Sequence, residues 1–294
     1  MRILVTGASG QVATALAEGA RLRREIDLLA LGRPALDLER PKETEAAIIA
    51  ARPDLVVNAA AYTTVDKAES EPERAFAINR DGAAAVARAT ATLAIPLIHL
   101  STDYVFDGAK PTPYVETDPT NPLSVYGRSK RDGEESVRAT HPASLILRTS
   151  WVVSPFGTNF VRTMLRLGAE RESLSIVDDQ FGNPTSALDI AGIILRIAPQ
   201  LAASSPEGGI YHLTNSGSTS WHGFAAAIFE ASARHGGPRP RLEAITTAGY
   251  PTPARRPANS RLDTSAFTHR FNIIPRPWQQ AVEETVARII RSAA

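Results

Sequence analysis

The chain has 294 residues, of which 43% are hydrophobic and 21% charged, so it can bury a large core and is not a disordered protein. Its net charge of +1 argues against a nucleic-acid or membrane-surface binder, and the absence of cysteine excludes disulfides and thiolate chemistry. The sequence contains no run of about 18 apolar residues that would predict a membrane span. The N-terminus lacks the pattern of a secretory signal, and we therefore predict a cytoplasmic protein.

Short apolar runs alternate with helix-length segments through the first half of the chain. Runs that are apolar on both faces predict fully buried strands of a parallel sheet with helices on both sides, an α/β, Rossmann-like, doubly wound fold. The predicted strands are Ile3–Thr6, Asp27–Leu31, Leu55–Asn58, Leu97–Ser101 and Leu145–Arg148. The predicted helices are Gly10–Arg24, Pro41–Ala51, Pro72–Leu93 and Tyr126–Ala139.

The second half is less regular, with scattered prolines and glycines. We expect a surface loop at Asp107–Pro122 and an irregular, proline-dense segment at Gly236–Asn259. The predicted helices are Asn159–Arg171, Leu188–Leu201, Trp221–Arg234 and Gln279–Ile290. We predict a dinucleotide-binding domain over residues 1–150 and a smaller, mainly substrate-binding C-terminal lobe over 151–294, with some segments returning to the first domain.

A glycine-containing turn joins the first strand to the first helix. Gly7 and Gly10 are followed by Ala13, a variant of the dinucleotide fingerprint in which backbone N–H groups and a helix N-terminus meet a pyrophosphate. An ordinary tight turn is the alternative, which the position directly after a strand disfavours. Arg33 follows the second strand where an acidic residue would favour NAD. It could meet a ribose 2′-phosphate and favour NADPH, with NADH as the other cofactor, or it could be a solvated surface residue.

Tyr126 and Lys130 are four residues apart, so they share one face of a helix. A lysine cation there would be expected to lower the pKa of the tyrosine, which could then donate a proton to a carbonyl oxygen as hydride arrives at carbon. Thr102 ends the fourth strand at the carboxyl edge of the sheet and could bind the same oxygen. An exposed helix pair and a strand-end cap are the alternatives. The six histidines show no metal-ligand spacing, and no Gly-x-Ser-x-Gly motif is present.

Five blocks extend these motifs over nearly the whole chain. With the glycine turn and the tyrosine–lysine pair, they resemble the extended short-chain dehydrogenase/reductases, and more closely the dTDP-4-dehydrorhamnose reductase family. The blocks are Val56–Glu69, Ser101–Gly108, Arg148–Val152, Asp179–Thr185 and Tyr250–Ser260.

The resemblance implies a nucleotide-sugar substrate and reduction of the C4 ketone of dTDP-4-dehydro-β-L-rhamnose, the last step of dTDP-L-rhamnose synthesis. It implies a cofactor site formed by Gly10, Gln11, Val12, Asp37, Leu38, Ala61, Tyr62, Thr63, Tyr126 and Lys130. To these we add Gly7 and Arg33, which the glycine turn and the end of the second strand indicate. Residues implied or considered for the sugar nucleotide are Thr102, Asp103, Trp151, Asn159, Gln180 and Arg256. Trp151 could form an apolar wall against the deoxy-sugar, with a core aromatic as the alternative, and Arg256 could pair with the diphosphate.

The chain departs from the family at one place. Some members form a dimer through a metal held by glutamates, and this sequence has Ala15 and Leu188 at the matching positions. Neither side chain has an oxygen ligand for Mg²⁺, so we predict no metal and either a monomer or a homodimer without a metal bridge.

Two other functions stay open on the same scaffold. One is another nucleotide-sugar reductase or epimerase, which cofactor turnover would distinguish. The other is a non-catalytic regulatory subunit resembling that of methionine adenosyltransferase. The joint presence of the Tyr126–Lys130 pair and the Ser101-Thr102-Asp103 block favours an enzyme over that subunit.

Overall fold

The computed structural model describes residues 1–203 and 208–293. Its strands are β1 Arg2–Thr6, β2 Asp27–Leu31, β3 Leu55–Asn58, β4 Leu97–Thr102, β5 Leu145–Thr149, β6 Val152–Val153, β7 Ser173–Val177, β8 Phe181–Gly182, β9 Thr185–Ser186, β10 Gly209–His212, β11 Thr219–Ser220 and β12 Arg241–Ile245. Its helices are α1 Gln11–Ala20, α2 Pro41–Ala51, α3 Val65–Ala68, α4 Pro72–Phe76, α5 Ala83–Leu93, α6 Val125–Thr140, α7 Phe160–Glu170, α8 Ala187–Ala203, α9 Trp221–Arg234, α10 Ser265–Phe271 and α11 Trp278–Ala293.

Six parallel strands form the central sheet of the described residues, in the order β10-β5-β4-β3-β1-β2. Alternate residues of each strand face opposite layers, so each face buries its own apolar set. Ile3 and Val5 pack with α1 and α8, whereas Leu4 packs on the other face with residues of α2, α5 and α6. This arrangement confirms the predicted α/β doubly wound fold.

The chain changes direction between β1 and β3. It runs from β1 outward to β2 and then returns to place β3 on the other side of β1. The loops after β1 and β3 therefore diverge above the sheet, which opens a crevice at their carboxyl ends, the usual ligand position in such folds.

A second group of elements packs around its own apolar cluster. Helices α7, α9 and α11 and strand β7 enclose it, and β12 pairs in parallel with β7. Strand β10 and helix α8 come from the same half of the chain but lie with the central sheet, on β5 and α1 respectively. The division of the chain at residue 150 remains a prediction.

Three local predictions are wrong. Strand β2 is half-exposed and not fully buried, because it lies at the edge of the sheet. The segment predicted as one helix over Pro72–Leu93 contains a π-helical turn at Ala77–Gly82. The proline-dense segment Gly236–Asn259 is not irregular throughout, since it contributes β12, whose backbone is satisfied by pairing with β7.

Candidate active site

The glycine turn lies at the base of the crevice. Gly7 has a φ of +85°, which glycine adopts at little cost, and a Cβ there would lie 3.1 Å from Ala60 after β3. Gly10 precedes α1 and supplies no side-chain cap. The first N–H groups of that helix are therefore directed at the crevice without a side-chain acceptor, which suits a bound anion such as a pyrophosphate.

A cleft of about 900 Å³ runs from this turn to α6. Every residue predicted for the cofactor lines it: Gly7, Gly10, Gln11, Val12, Arg33, Asp37, Leu38, Ala61, Tyr62, Thr63, Tyr126 and Lys130. Its lining combines the glycine turn, apolar side chains and a few charged side chains. The residues present therefore fit a dinucleotide, and when bound, a reduced nicotinamide supplies hydride.

Tyr126 and Lys130 lie in the first half of α6, both largely buried. The Ser124 side chain caps this helix by accepting a hydrogen bond from the Gly127 N–H at 3.1 Å. The Lys130 ammonium donates to the Leu100 carbonyl of β4 at 2.7 Å, and this bond ties the helix to the sheet. The two side chains that we predict to be catalytic therefore have fixed positions at one end of the cleft.

The expected lowering of the Tyr126 pKa is not found. Burial raises the pKa of Tyr126 to about 12, with Thr102 opposing the rise and Asp103 adding to it. The pKa of Lys130 is itself shifted, since burial lowers it to about 8 while Glu134 opposes that decrease. At neutral pH, Tyr126 is accordingly a neutral phenol, the form that can donate a proton, beside a mostly cationic lysine.

Thr102 and Asp103 end β4 and begin the next turn. The Thr102 side chain opposes the rise in the Tyr126 pKa, and its hydroxyl donates to Oδ1 of Asp103 at 2.9 Å. The Asp103 carboxylate also accepts from the Ser150 hydroxyl at 3.1 Å and contacts the hydroxyl of Ser260. Burial nevertheless raises the pKa of Asp103 to about 6.

None of the residues considered for the substrate, Thr102 and Asp103 included, lines this cleft. Trp151, at a φ of +46°, stacks on Trp221 with ring centroids 3.6 Å apart. Asn159 donates its amide to Oε1 of Gln11 at 2.9 Å. Gln180 donates to the Thr247 hydroxyl.

Arg256 forms an ion pair in the structure. Its guanidinium meets the Asp66 carboxylate at 2.7 and 3.1 Å, and it also contacts Tyr104, which packs edge-on against Tyr126. The binding roles of all these residues remain proposals.

Two buried groups beside the site escaped the sequence reasoning. Asn79, in the π-helical turn, bonds the Tyr62 backbone at 2.8 Å and the Ser129 hydroxyl at 2.9 Å. Glu134 pairs with Arg148, and both are 3% exposed. The only sequence signal for Glu134 was its position four residues after Lys130, the same helical spacing that identified the tyrosine–lysine pair.

Ala15 and Leu188 pack in or against the cluster between α1 and α8. Among the described residues, no group of three or more His, Asp or Glu side chains could hold a metal ion. Within the same residues, no helix has the length and apolar character needed to cross a membrane.

The parallel sheet, the glycine turn at its switch point and the buried tyrosine–lysine pair define an extended short-chain dehydrogenase/reductase, an NAD(P)H-dependent oxidoreductase. The model of the family described as "RmlD substrate binding domain" matches residues 1–291, and the chain belongs to this family. The resemblance seen in the sequence is confirmed.

Relatives and solved structures agree with this assignment. A dTDP-4-dehydrorhamnose reductase of Sinorhizobium fredii is 49% identical over 97% of each chain. The structure of a dTDP-4-dehydrorhamnose reductase from Clostridium acetobutylicum superposes with a TM-score of 0.91 at 32% identity, covering 98% of this chain and 99% of that one. A dTDP-4-dehydrorhamnose reductase from Bacillus anthracis, solved in complex with NADP, gives a TM-score of 0.90 at 34% identity with the same coverage.

Proposed function

We propose that the protein catalyses the NAD(P)H-dependent reduction of the C4 ketone of dTDP-4-dehydro-β-L-rhamnose to dTDP-β-L-rhamnose, the final step of dTDP-L-rhamnose biosynthesis. The observation that carries the proposal is the neutral phenol of Tyr126, which lines a dinucleotide-sized cleft and on which the Thr102 side chain acts. The substrate comes from the relatives, which are named for this reaction.

Each side chain has a defined task in this mechanism. Thr102 and Tyr126 hold the C4 carbonyl oxygen between two hydroxyls, and Tyr126 transfers its phenolic proton to that oxygen as the carbon is reduced. Lys130 stabilises the phenolate left behind, because an ammonium nearby lowers the cost of that negative charge. Closing such a site with buried groups also keeps water from the reacting carbon.

The residues that we propose for the substrate follow from the family resemblance. Asp103 adjoins Thr102 and could accept hydrogen bonds from sugar hydroxyls. We place the deoxy-sugar against Trp151, and the nucleotide near Asn159, Gln180 and Arg256. The cofactor residues are those that line the cleft.

The test is oxidation of NADPH, followed by its near-ultraviolet absorbance, with dTDP-4-dehydrorhamnose as substrate. We expect one equivalent of NADPH to be consumed for each equivalent of dTDP-rhamnose formed. An epimerase would retain its cofactor and consume none in net turnover. Folded protein that turns over neither NADPH nor NADH would refute the reductase assignment.

The proposal includes a cytoplasmic location and a monomer or a homodimer without a metal bridge. Light scattering after size-exclusion chromatography, with Mg²⁺ and with EDTA, tests the second part. We expect the same molar mass in both buffers, because Ala15 and Leu188 offer no oxygen ligand. Dissociation on chelation would contradict it.

A further inference from the structure

A buried carboxylate lies directly behind the proposed proton donor and its lysine. Glu134 is on α6, one helical turn after Lys130, and only 3% of its side chain is exposed. Its Oε1 accepts hydrogen bonds from the Ser101 hydroxyl at 2.5 Å and from Nε of Arg148 at 2.9 Å. Its Oε2 accepts from Nη2 of Arg148 at 2.6 Å. The carboxylate thus joins α6 to β4 and β5.

These contacts lie next to the catalytic end of the cleft. Ser101 immediately precedes Thr102, and in the register of the sheet it lies opposite Arg148. The carbonyl that receives the Lys130 ammonium belongs to Leu100, the residue before Ser101. One carboxylate therefore fixes the helix that carries Tyr126 and Lys130 against the strand that carries Thr102.

Stability alone is a weak reason for this pair. Burying an ion pair costs desolvation free energy, and apolar side chains of similar volume often stabilise a fold as well or better. A buried pair that lies one helical turn from Lys130 and is bonded to the residue before Thr102 is better explained by a charge that the site needs. Lys130 needs such a charge, because within the described part of the chain it forms no salt bridge and it donates its hydrogen bond to the uncharged Leu100 carbonyl.

We propose that Glu134 is a positioning residue whose buried carboxylate, oriented by Arg148 and Ser101, keeps the Lys130 side chain in its cationic form and in register with Thr102. The inference rests on the proposed function for its catalytic consequence. The effect of Glu134 on the charge of Lys130 needs no substrate and can be measured in the protein alone.

The surroundings of Lys130 leave Glu134 as the group that favours the cation. His99 on β4 is neutral, since burial and the lysine itself hold its pKa well below the usual value. Tyr126 is a neutral phenol, and Asp103 acts on that phenol. Burial lowers the pKa of Lys130 to about 8, and Glu134 is the group that opposes the decrease.

The test is a titration of Lys130 in the intact protein. The chain has four lysines, so protein labelled with ¹³C at lysine Cε gives four signals, and Lys130→Met identifies the relevant one. We expect Glu134→Gln to lower the titration midpoint of Lys130 by about one pH unit. In the pH profile of kcat, the fall on the alkaline side should move to lower pH by the same amount.

Two further variants make the result decisive. Glu135→Gln removes the same charge from the adjacent, solvent-exposed position of α6, and it should leave both readouts unchanged. The double variant Glu134→Gln/Arg148→Met removes both buried charges. It replaces the single variant if the unpaired arginine prevents folding, and it should also lower the titration midpoint of Lys130.

An unchanged Lys130 midpoint in a folded Glu134 variant would overturn the proposal. If the Lys130 midpoint shifts but the alkaline side of the kcat profile does not move, the proposed effect on catalysis is wrong. If the reductase assignment itself were wrong, the wild-type protein would show no turnover, and the NMR titration of Lys130 would be unaffected.

Discussion

The side chain of Thr102, at the end of β4, acts on the phenol of Tyr126 in the first turn of α6 and opposes the rise in its pKa. Neither group is charged at neutral pH, since burial raises the pKa of Tyr126 to about 12. Two neutral hydroxyls side by side form a site that can hold a carbonyl oxygen and give it a proton. This arrangement explains why the site suits reduction of a ketone.

Tyr126→Phe tests the identity of the proton donor. The change removes one hydroxyl from a buried ring, so kcat should fall by about 10²- to 10⁴-fold, the range of general acid catalysis. The dissociation constant of NADPH, measured by fluorescence, should change little. Tyr211→Phe is the matched control, because Tyr211 lies on β10 and packs against Phe271. Near-normal turnover of the Tyr126 variant would mean that another group supplies the proton.

Arg33→Ala tests the cofactor preference. Arg33 is exposed after β2, lines the cleft and forms no ion pair within the described residues. If it meets the 2′-phosphate, its loss should raise the KM for NADPH by about tenfold, the value of one hydrogen bond to a charged group. The KM for NADH, which lacks that phosphate, should not change.

The control for this prediction is Arg40→Ala. Arg40 is also exposed, but it pairs with Glu43 at 3.2 Å and does not line the cleft. Its removal should leave the KM values for both cofactors unchanged. If the Arg33 variant raised the KM for NADH and the KM for NADPH equally, Arg33 would bind a part of the cofactor that both molecules share.

Local pattern predicted five of the six strands of the central sheet, and contacts distant in sequence account for the strands that it missed. The limits of β2 and β3 agree with the prediction, since each is a short apolar run between turn residues. Strand β10 was not predicted, because it becomes a strand by pairing with β5. Strand β12 lies among prolines and depends on β7 in the same way.

The candidate site shows the same division. The spacing of Tyr126 and Lys130 is a property of one helix, so the sequence predicted that they share a face. Their charge states depend on burial and on neighbouring groups, which are Thr102 and Asp103 for Tyr126 and Glu134 for Lys130. The pairing of Arg256 with Asp66 joins residues 190 positions apart, which no local pattern encodes.

Asp103→Asn tests whether the buried carboxyl holds its proton. Burial raises the pKa of Asp103 from 3.8 to about 6, so the folded state binds this proton more tightly than the unfolded state. As pH rises from about 4 to 6, the unfolded chain ionises first, and the free energy of unfolding should fall by about 3 kcal/mol on this account. Above pH 6 the loss is complete.

The measurement is urea denaturation of the wild type and the Asn variant at several values between pH 4 and 7. The variant lacks the titrating group, so the difference in free energy of unfolding, variant minus wild type, should increase over this window and then level off. A lost hydrogen bond would only add a constant offset. Curves that stay parallel across the window would contradict the raised pKa.

Arg256→Ala tests the proposed diphosphate contact. In the structure the guanidinium makes a two-pronged pair with Asp66, the geometry with which arginine also binds phosphate. If the diphosphate takes the place of that carboxylate, the variant should raise the KM for the sugar nucleotide by about tenfold. The KM for NADPH should stay constant. Arg255→Ala is the adjacent control, since Arg255 is exposed.

Asp66→Asn separates binding from simple support of the loop. Removing the carboxylate leaves Arg256 free for the diphosphate, so the KM for the sugar nucleotide should not rise. If the ion pair acted only by holding residues 250–259 in place, Asp66→Asn and Arg256→Ala would raise that KM alike. Because the two variants break the same pair from opposite sides, unequal KM values assign the binding role to the arginine.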